Sequence, residues 1–165
     1  MAVQLDPPQQ SKETVGEDTP LVGPRNKGEV EVNLMKCKAL IDSGSQTTTI
    51  THGYWCNHPI LKNQKLQPSK IPIEGAAGQS VPYYGVLHIN LKKKALGKEF
   101  KTVPAFVVPD SEYRSSVPLL MGTNIIRASR RHLRAAYGQQ LLHRAKENHP
   151  EWYTALLEID STDCG

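Results

Sequence analysis

The stretch ALIDSGSQTTTI, residues 39–50, decides how the rest of the chain is interpreted. Its apolar start at 39–41 is typical of a buried strand, and the β-branched run at 47–50 predicts another strand. Asp42 stands where the first strand ends, and a Ser-Gly pair follows it. Asp and Gly both favour tight turns, so an ordinary turn is one explanation. The alternative is that the strand holds the Asp42 carboxylate at the edge of a water-poor site.

The composition fits one globular domain with some disordered length. The chain has 165 residues, of which 38% are hydrophobic and 22% charged. No stretch is long and apolar enough for a membrane span, and the N-terminus lacks the apolar segment of a signal peptide. The three cysteines, Cys37, Cys56 and Cys164, are widely separated, which favours a reducing compartment over a disulfide framework. We therefore expect a cytoplasmic protein with no membrane partner and, since Cys56 and His58 have no second ligand pair, no metal site.

Three regions differ in composition. Residues 1–24 lack apolar periodicity and are predicted to be a disordered tail or linker. From 25 to 128, many short apolar segments without βαβ alternation predict an all-β barrel or sandwich. Residues 129–165 are predicted to be a helical basic tail or linker, broken at His149 and Pro150. The last helix is expected to present one apolar face, formed by Trp152, Leu156 and Ile159.

The net charge of +4 is unevenly distributed along the chain. Six bases and no acid occur between positions 127 and 146, namely Arg127, Arg130, Arg131, Arg134, Arg144 and Lys146. A solvated helix face explains this run, and contact with nucleic acid is the less favoured alternative.

Two more segments accompany the Asp42 stretch. About thirty residues after it, KIPIEGAAGQSV at 70–81 predicts a hairpin whose tip is bracketed by Gly75 and Gly78. About eighty residues after it, VPLLMG at 117–122 predicts a short, wholly apolar strand. This context favours a functional role for the Asp42 segment over an ordinary turn.

Taken in order, ALIDSGS, the glycine-tipped hairpin and VPLLMGTNII resemble the retropepsin-like aspartic proteases. The nearest resemblance is to the protease segments of LTR retrotransposons and retroviruses, and it covers about residues 28–128. It implies a closed β-barrel that forms half of an active enzyme, with no cofactor. It also implies peptide-bond hydrolysis in the processing of a retroelement polyprotein, inside the cell or within a virus-like particle.

The resemblance gives each motif a role. Asp42 is implied to be catalytic, with Ser43 and Gly44 supporting it in the same loop. The Ser43 hydroxyl is implied to cross to the other subunit. Substrate contacts are implied for the loop and for the hairpin, or flap, at Ser45, Gln46, Gly75, Ala76, Ala77 and Gly78. A second structural motif is implied beneath the loop at Leu120, Met121 and Gly122.

A count of carboxylates predicts the oligomeric state. This class of protease uses two carboxylates that share one proton, because like charges so close together cannot both ionise. The Asp-Ser-Gly tripeptide occurs once, since Asp110 and Asp160 each begin a tripeptide without the glycine. One chain therefore supplies one such carboxylate. We expect a symmetric homodimer whose two-fold axis passes between two copies of Asp42.

Two positions depart from the pattern of many retroviral relatives. Those relatives carry an acid and an arginine where Gln46 and Thr123 stand in this chain. Both charges are absent together, so neither is left unpaired in a partly buried place, and the dimer is expected to be weaker. An alternative function remains open: a catalytically inactive module of the same fold that dimerises or binds peptides.

Overall fold

The structure is a computed structural model that describes residues 26–75 and 78–163. Within these residues, six strands close into a barrel. In chain order the strands are β1 (Lys27–Val32), β2 (Met35–Ile41), β3 (Thr49–Thr51), β4 (Gly85–Lys92), β5 (Lys101–Val108) and β6 (Leu119–Met121). Around the barrel they follow the order β1-β2-β6-β3-β5-β4, and β4 pairs with β1 to close it. The predicted closed barrel is thereby confirmed.

Two of the strand pairs are parallel, and these two position the site. β2 runs parallel to β6, with Ile41 opposite Met121, and β3 runs parallel to β5. The other neighbours around the barrel are antiparallel. Because β6 lies between β2 and β3, the loop that leaves β2 at Asp42 must pass over the end of β6 before it enters β3.

Helices form a larger part of the fold than the sequence predicted. The described residues contain α1 (His52–Asn57), α2 (Thr123–Tyr137), α3 (Leu141–Asn148) and α4 (Pro150–Asp163). The class all-β is therefore wrong, and the fold is a closed barrel with a helical C-terminal region. The predicted break at Pro150 is present. A second break falls at Gly138, whose φ of 59° is a left-handed conformation that glycine adopts without steric cost.

The barrel and the helices share one hydrophobic core. Alternate residues of β4, Leu87, Ile89 and Leu91, are fully buried, as expected for a strand with one face inward. The predicted apolar face of α4 belongs to the same cluster, because Trp152, Leu156 and Ile159 are all buried within it. The helical region thus contributes side chains to the core that the barrel encloses.

Some predictions concern residues that the structure does not describe. The predicted tail at 1–24 and Cys164 lie outside the described ranges. The domain boundaries at residues 24 and 128 remain predictions. Among the described residues, no helix is both long enough and apolar enough to cross a lipid bilayer.

Candidate active site

The backbone fixes Asp42 at the end of β2. Its amide donates a hydrogen bond of 3.0 Å to the carbonyl of Met121, which extends the β2–β6 pairing by one residue. The Ser45 amide then donates to the Asp42 carbonyl at 3.2 Å, so the chain turns immediately after the strand. The Gly44 amide donates to Asp42 Oδ1 at 2.8 Å. This bond orients a half-buried carboxylate.

The apolar segment 117–122 lies beneath this loop. The amide of Thr123 donates to the Ser45 carbonyl at 2.7 Å, and the Gly122 amide donates to Thr48 Oγ1 at 3.3 Å. Thr48 Oγ1 also donates to Asn124 Oδ1 at 3.0 Å, which ties the loop to the first turn of α2. The loop that carries the carboxylate is therefore held from below by the start of a helix.

Gly122 occupies a position that admits no side chain. A Cβ atom there would overlap the carbonyl oxygen of Thr47 and would lie 2.6 Å from the carbonyl oxygen of Ser45. Both neighbours are backbone atoms of the active-site loop, so neither can rotate away as a side chain would. Close approach of two backbone segments thus explains the glycine at the end of VPLLMG.

We predict that Gly122→Ala lowers the free energy of unfolding by about 3 kcal/mol, because the loop must shift to admit the methyl group. Chemical denaturation would measure the loss. Gly28→Ala is the matched control, since the nearest atom to a Cβ there is the flexible Glu151 Cγ at 3.1 Å. Equal stability of the two variants would contradict the close-packed role of Gly122.

The glycine-tipped hairpin lies opposite the loop. The amide of Val81 donates to the Ile73 carbonyl at 2.9 Å, and the amide of Gly75 donates to the Gln79 carbonyl at 2.8 Å. Gly78 has a φ of 85°, as a glycine at such a tip was expected to permit. The predicted contact residues Ala76 and Ala77 lie outside the described ranges.

Two cavities separate the hairpin from the loop. The larger, of about 430 Å³, is lined by Gly44, Gln46 and Thr47 from the loop side and by Pro72, Ile73, Glu74, Gly75 and Gly78 from the hairpin side. The smaller, of about 130 Å³, reaches Asp42 and is also lined by Ser45 and Leu120. The structure therefore brings the three predicted segments together around the smaller cavity.

The predicted site residues differ in how far their side chains are exposed to these cavities. Gln46 is exposed at the larger cavity, whereas Ser45 is buried and its hydroxyl donates to the Thr47 carbonyl at 2.9 Å. Met121 is fully buried in the core, and Leu120 is half-buried beside Asp42. Ser45 and Met121 thus have structural contacts, and their assigned roles remain predictions.

Ser43 has a partner within its own chain. Its hydroxyl donates to Oε1 of Glu158, which lies 115 residues later in α4. No sequence pattern indicates this pair, since neither residue belongs to a motif that includes the other. This bond uses the one hydrogen of the Ser43 hydroxyl, so a bond to a second subunit, which stays a prediction, would have Ser43 as the acceptor.

Arg114 is a site residue that the sequence analysis missed. It follows β5 in a short helical turn, and its side chain lines the smaller cavity together with Asp42. Burial lowers the pKa of the Arg114 guanidinium to about 10, although the nearby Asp42 charge acts in the opposite direction. The group therefore remains a cation at neutral pH, and it gives the floor of the cavity a positive charge.

The described residues contain no cluster of three or more His, Cys, Asp or Glu side chains that is arranged to hold a metal ion. The Asp42 loop is instead surrounded by backbone amides, hydroxyls and one guanidinium. These groups can donate hydrogen bonds both to the Asp42 carboxylate and to a polar ligand beside it. It therefore suits acid–base chemistry that a carboxylate performs with water.

No protein-family model matches the chain, and no curated protein does either. Solved structures with a similar fold include EIAV protease complexed with the inhibitor HBY-793, at 16% identity and a TM-score of 0.46, covering 66% of this chain and 91% of that chain. The retroviral protease-like domain of Ddi1 from Leishmania major has 14% identity and a TM-score of 0.43, covering 61% and 74%. A retropepsin-like aspartic protease from Rickettsia conorii has 18% identity and a TM-score of 0.39, covering 61% and 69%. At these identities the likeness concerns the fold alone.

Proposed function

We propose that the protein is an aspartic endopeptidase that acts as a homodimer, with Asp42 from each chain forming the catalytic pair. One observation supports this most directly. The Asp42 carboxylate, oriented by the Gly44 amide, faces a cavity that is covered by a glycine-tipped hairpin. We further propose that its substrates are segments of a retroelement polyprotein, processed inside the cell or in a virus-like particle.

The proposed chemistry needs two carboxylates and one shared proton. The ionised Asp42 takes a proton from a water molecule, which attacks the carbonyl carbon of the scissile peptide bond. The protonated partner donates its proton to the oxygen on which negative charge develops. Asp42 then passes the proton that it took to the peptide nitrogen, and the partner carboxylate takes a proton from one hydroxyl of the diol as the C–N bond breaks. The products are a carboxylic acid and an amine, and the pair again holds one proton. The walls of the cavity include Ile73, Val81 and Leu120, and these apolar side chains keep water scarce around the pair.

The second carboxylate is assigned to another copy of the chain. The only other carboxylate that lines the Asp42 cavity among the described residues belongs to Glu74. Glu74 is exposed on the hairpin, and its backbone pairs there with Ser80. A carboxylate on the covering hairpin lacks the oriented setting that the Gly44 amide gives to Asp42, so a second Asp42 is the better partner.

The proposal is tested by measuring activity and assembly together. A random peptide library is incubated with the protein at mildly acidic pH, with and without a statine-type inhibitor, and the cuts are read by mass spectrometry. Sedimentation of the same samples gives the oligomeric state. We expect inhibitor-sensitive cleavage that rises with the dimer fraction. Full activity in a strict monomer would contradict the homodimer.

We predict that Gly78→Pro lowers kcat/KM for peptide cleavage by about tenfold or more. Proline fixes φ near −65°, whereas Gly78 has a φ of 85°, and proline also removes the amide that donates to the Gly75 carbonyl at 3.0 Å. A distorted hairpin would close poorly over the bound peptide and admit water. Steady-state kinetics would measure the change.

Gly78→Asn is the control for this variant, because asparagine tolerates the left-handed conformation and retains its amide hydrogen. Its kcat/KM should stay much closer to that of the natural chain. Dimer dissociation constants from sedimentation should change little in both variants. Unchanged turnover in Gly78→Pro would contradict a covering role for the hairpin.

A further inference from the structure

Arg114 is held rigidly, yet it keeps one donor free. Its Nε donates to the Val117 carbonyl at 3.0 Å, and its Nη2 donates to the carbonyls of Pro118 at 2.9 Å and Thr49 at 3.2 Å. Its Nη1 donates to Thr49 Oγ1 at 3.1 Å. A guanidinium has five N–H groups, so these four bonds leave one Nη1 hydrogen without a protein acceptor in the described structure.

Among the described residues no salt bridge neutralises this cation, although the Asp42 charge acts on it across the shared cavity. Three of its four acceptors are backbone carbonyls and the fourth is a hydroxyl, so the contacts orient the guanidinium without cancelling its charge. A charge that is taken out of water without a partner is costly, and an anionic ligand would reduce that cost.

The cavity next to the guanidinium has a volume and a lining that suit a single side chain. The cavity of about 130 Å³ that Arg114 shares with Asp42 has apolar walls, which come from Ile73, Val81, Val108 and Leu120. Thr49 adds a hydroxyl beside Arg114. A ligand group that fits these surroundings has an aliphatic stem for the walls and a carboxylate for the free N–H.

We infer that Arg114 determines specificity by binding an acidic side chain, with glutamate favoured, of a substrate peptide whose scissile bond lies at Asp42. The inference rests on the proposed function, because it takes the cavity to be part of a peptide-binding cleft. A carboxylate offers the guanidinium a full opposite charge, whereas an amide oxygen offers only a partial one, so Glu should be distinguished from the isosteric Gln. The apolar walls add contact with the two methylene groups that Glu and Gln share.

The first test uses the protein without mutation. Statine-type peptides carry Glu in place of Gln at one position at a time, over the positions that flank the statine. Calorimetry at about pH 6, where both Glu and Arg are charged, gives the dissociation constants. We expect one position at which the Glu peptide binds about tenfold more tightly than the Gln peptide. Equal affinities at every position, or no binding of any peptide, would overturn the inference.

The second test assigns the preference to Arg114. In Arg114→Met the Glu-to-Gln affinity ratio should fall to about one, whereas Arg114→Lys, which keeps the charge but not the planar fork, should retain part of it. A ratio that persists in Arg114→Met would place the preference elsewhere. If the Met variant does not fold, the comparison of Arg114→Lys with the unmutated protein still tests the assignment. An unaltered ratio in the Lys variant would contradict a contact that depends on a guanidinium oriented by its four protein bonds.

These measurements separate the inference from the proposed function. The proposed function fails if the unmutated protein shows no inhibitor-sensitive cleavage, whatever the binding ratio. The inference fails if the ratio is one, even if apolar peptides are cleaved well. Binding and cleavage therefore give independent results.

Discussion

Asp42→Asn lowers kcat/KM for inhibitor-sensitive peptide cleavage by about a thousandfold or more if Asp42 is the catalytic residue, because an amide neither takes a proton from water nor holds the shared one. The fold should persist, since an Asn side-chain oxygen still accepts the bond that the Gly44 amide donates to Oδ1. Steady-state kinetics measures the loss, and thermal unfolding together with sedimentation verifies that the variant is folded and assembled.

Glu74→Gln is the matched control for this prediction, since Glu74 is the other carboxylate that lines the same cavity among the described residues. Its kcat/KM should stay within a few-fold of that of the natural chain, because we assign it no proton transfer. Equal losses in both variants would indicate a pair formed by Asp42 and Glu74 of one chain, which would contradict the homodimer. Inhibitor-sensitive cleavage that survives Asp42→Asn would contradict the catalytic role of Asp42. Peptide binding without any cleavage by the natural chain would favour the peptide-binding module.

The barrel and the placement of the loop were predictable because their signals are local. A continuous apolar run ends at Asp42, glycines bracket the hairpin, and VPLLMG is apolar throughout, so each segment indicates its own structure. The close approach at Gly122 follows once β6 is placed beside β2, since the backbone of the loop must then cross above it. Patterns of neighbouring residues were sufficient for the separate segments, whereas the choice of a closed barrel over a sandwich came from the family resemblance.

The sequence contains signals for the start of α1 and the end of α2, but stronger patterns in the neighbouring residues pointed elsewhere. Thr51 accepts a hydrogen bond from the Tyr54 amide at 3.4 Å and so caps α1, yet the β-branched run before it suggested only a strand. Gly138 carries the positive φ that ends many helices, but it lies within a stretch whose apolar spacing continues on both sides. The weak signals of these helix termini were therefore overridden by the patterns of the residues around them.

Contacts between distant residues could not be predicted at all. Arg114 bonds to Thr49, 65 residues earlier, and Ser43 bonds to Glu158, 115 residues later. A single arginine in the loop SEYRSS has no pattern that shows what it will face. Sequence periodicity assigns a residue to a face of its element, but it does not give the partner on another element.

The helical region was expected to be a tail or linker, but α4 is packed into the core. This burial leads to the second large prediction. Trp152 is 0% exposed and belongs to the cluster that contains the inward-facing residues of the barrel. A side chain of this size cannot be removed without leaving a cavity, because a close-packed core relaxes only in part. The stability of the barrel should therefore depend on α4.

We predict that Trp152→Ala lowers the free energy of unfolding by about 4 kcal/mol, the range observed when large aromatic residues are truncated in a core. Trp152→Phe should lose much less. It retains most of the apolar volume, and it removes an indole N–H that is buried without a hydrogen-bond partner in the described structure. Urea denaturation followed by circular dichroism would measure both values.

Leu157→Ala is the matched control on the same helix, because Leu157 is 41% exposed and its truncation should cost within about 0.5 kcal/mol. The chain has two tryptophans, so in Trp152→Ala the fluorescence of Trp55 reports on the barrel side alone. Trp55 lies in α1, directly after β3, and donates to the carbonyl of Leu61 at 2.9 Å. Its fluorescence should lose its native value at the lowered urea midpoint. A different result would contradict this: the Trp55 fluorescence changes at the urea midpoint of the natural chain, while the helical circular dichroism signal is lost at lower urea. In that case α4 is a separate unit, and its burial does not stabilise the barrel.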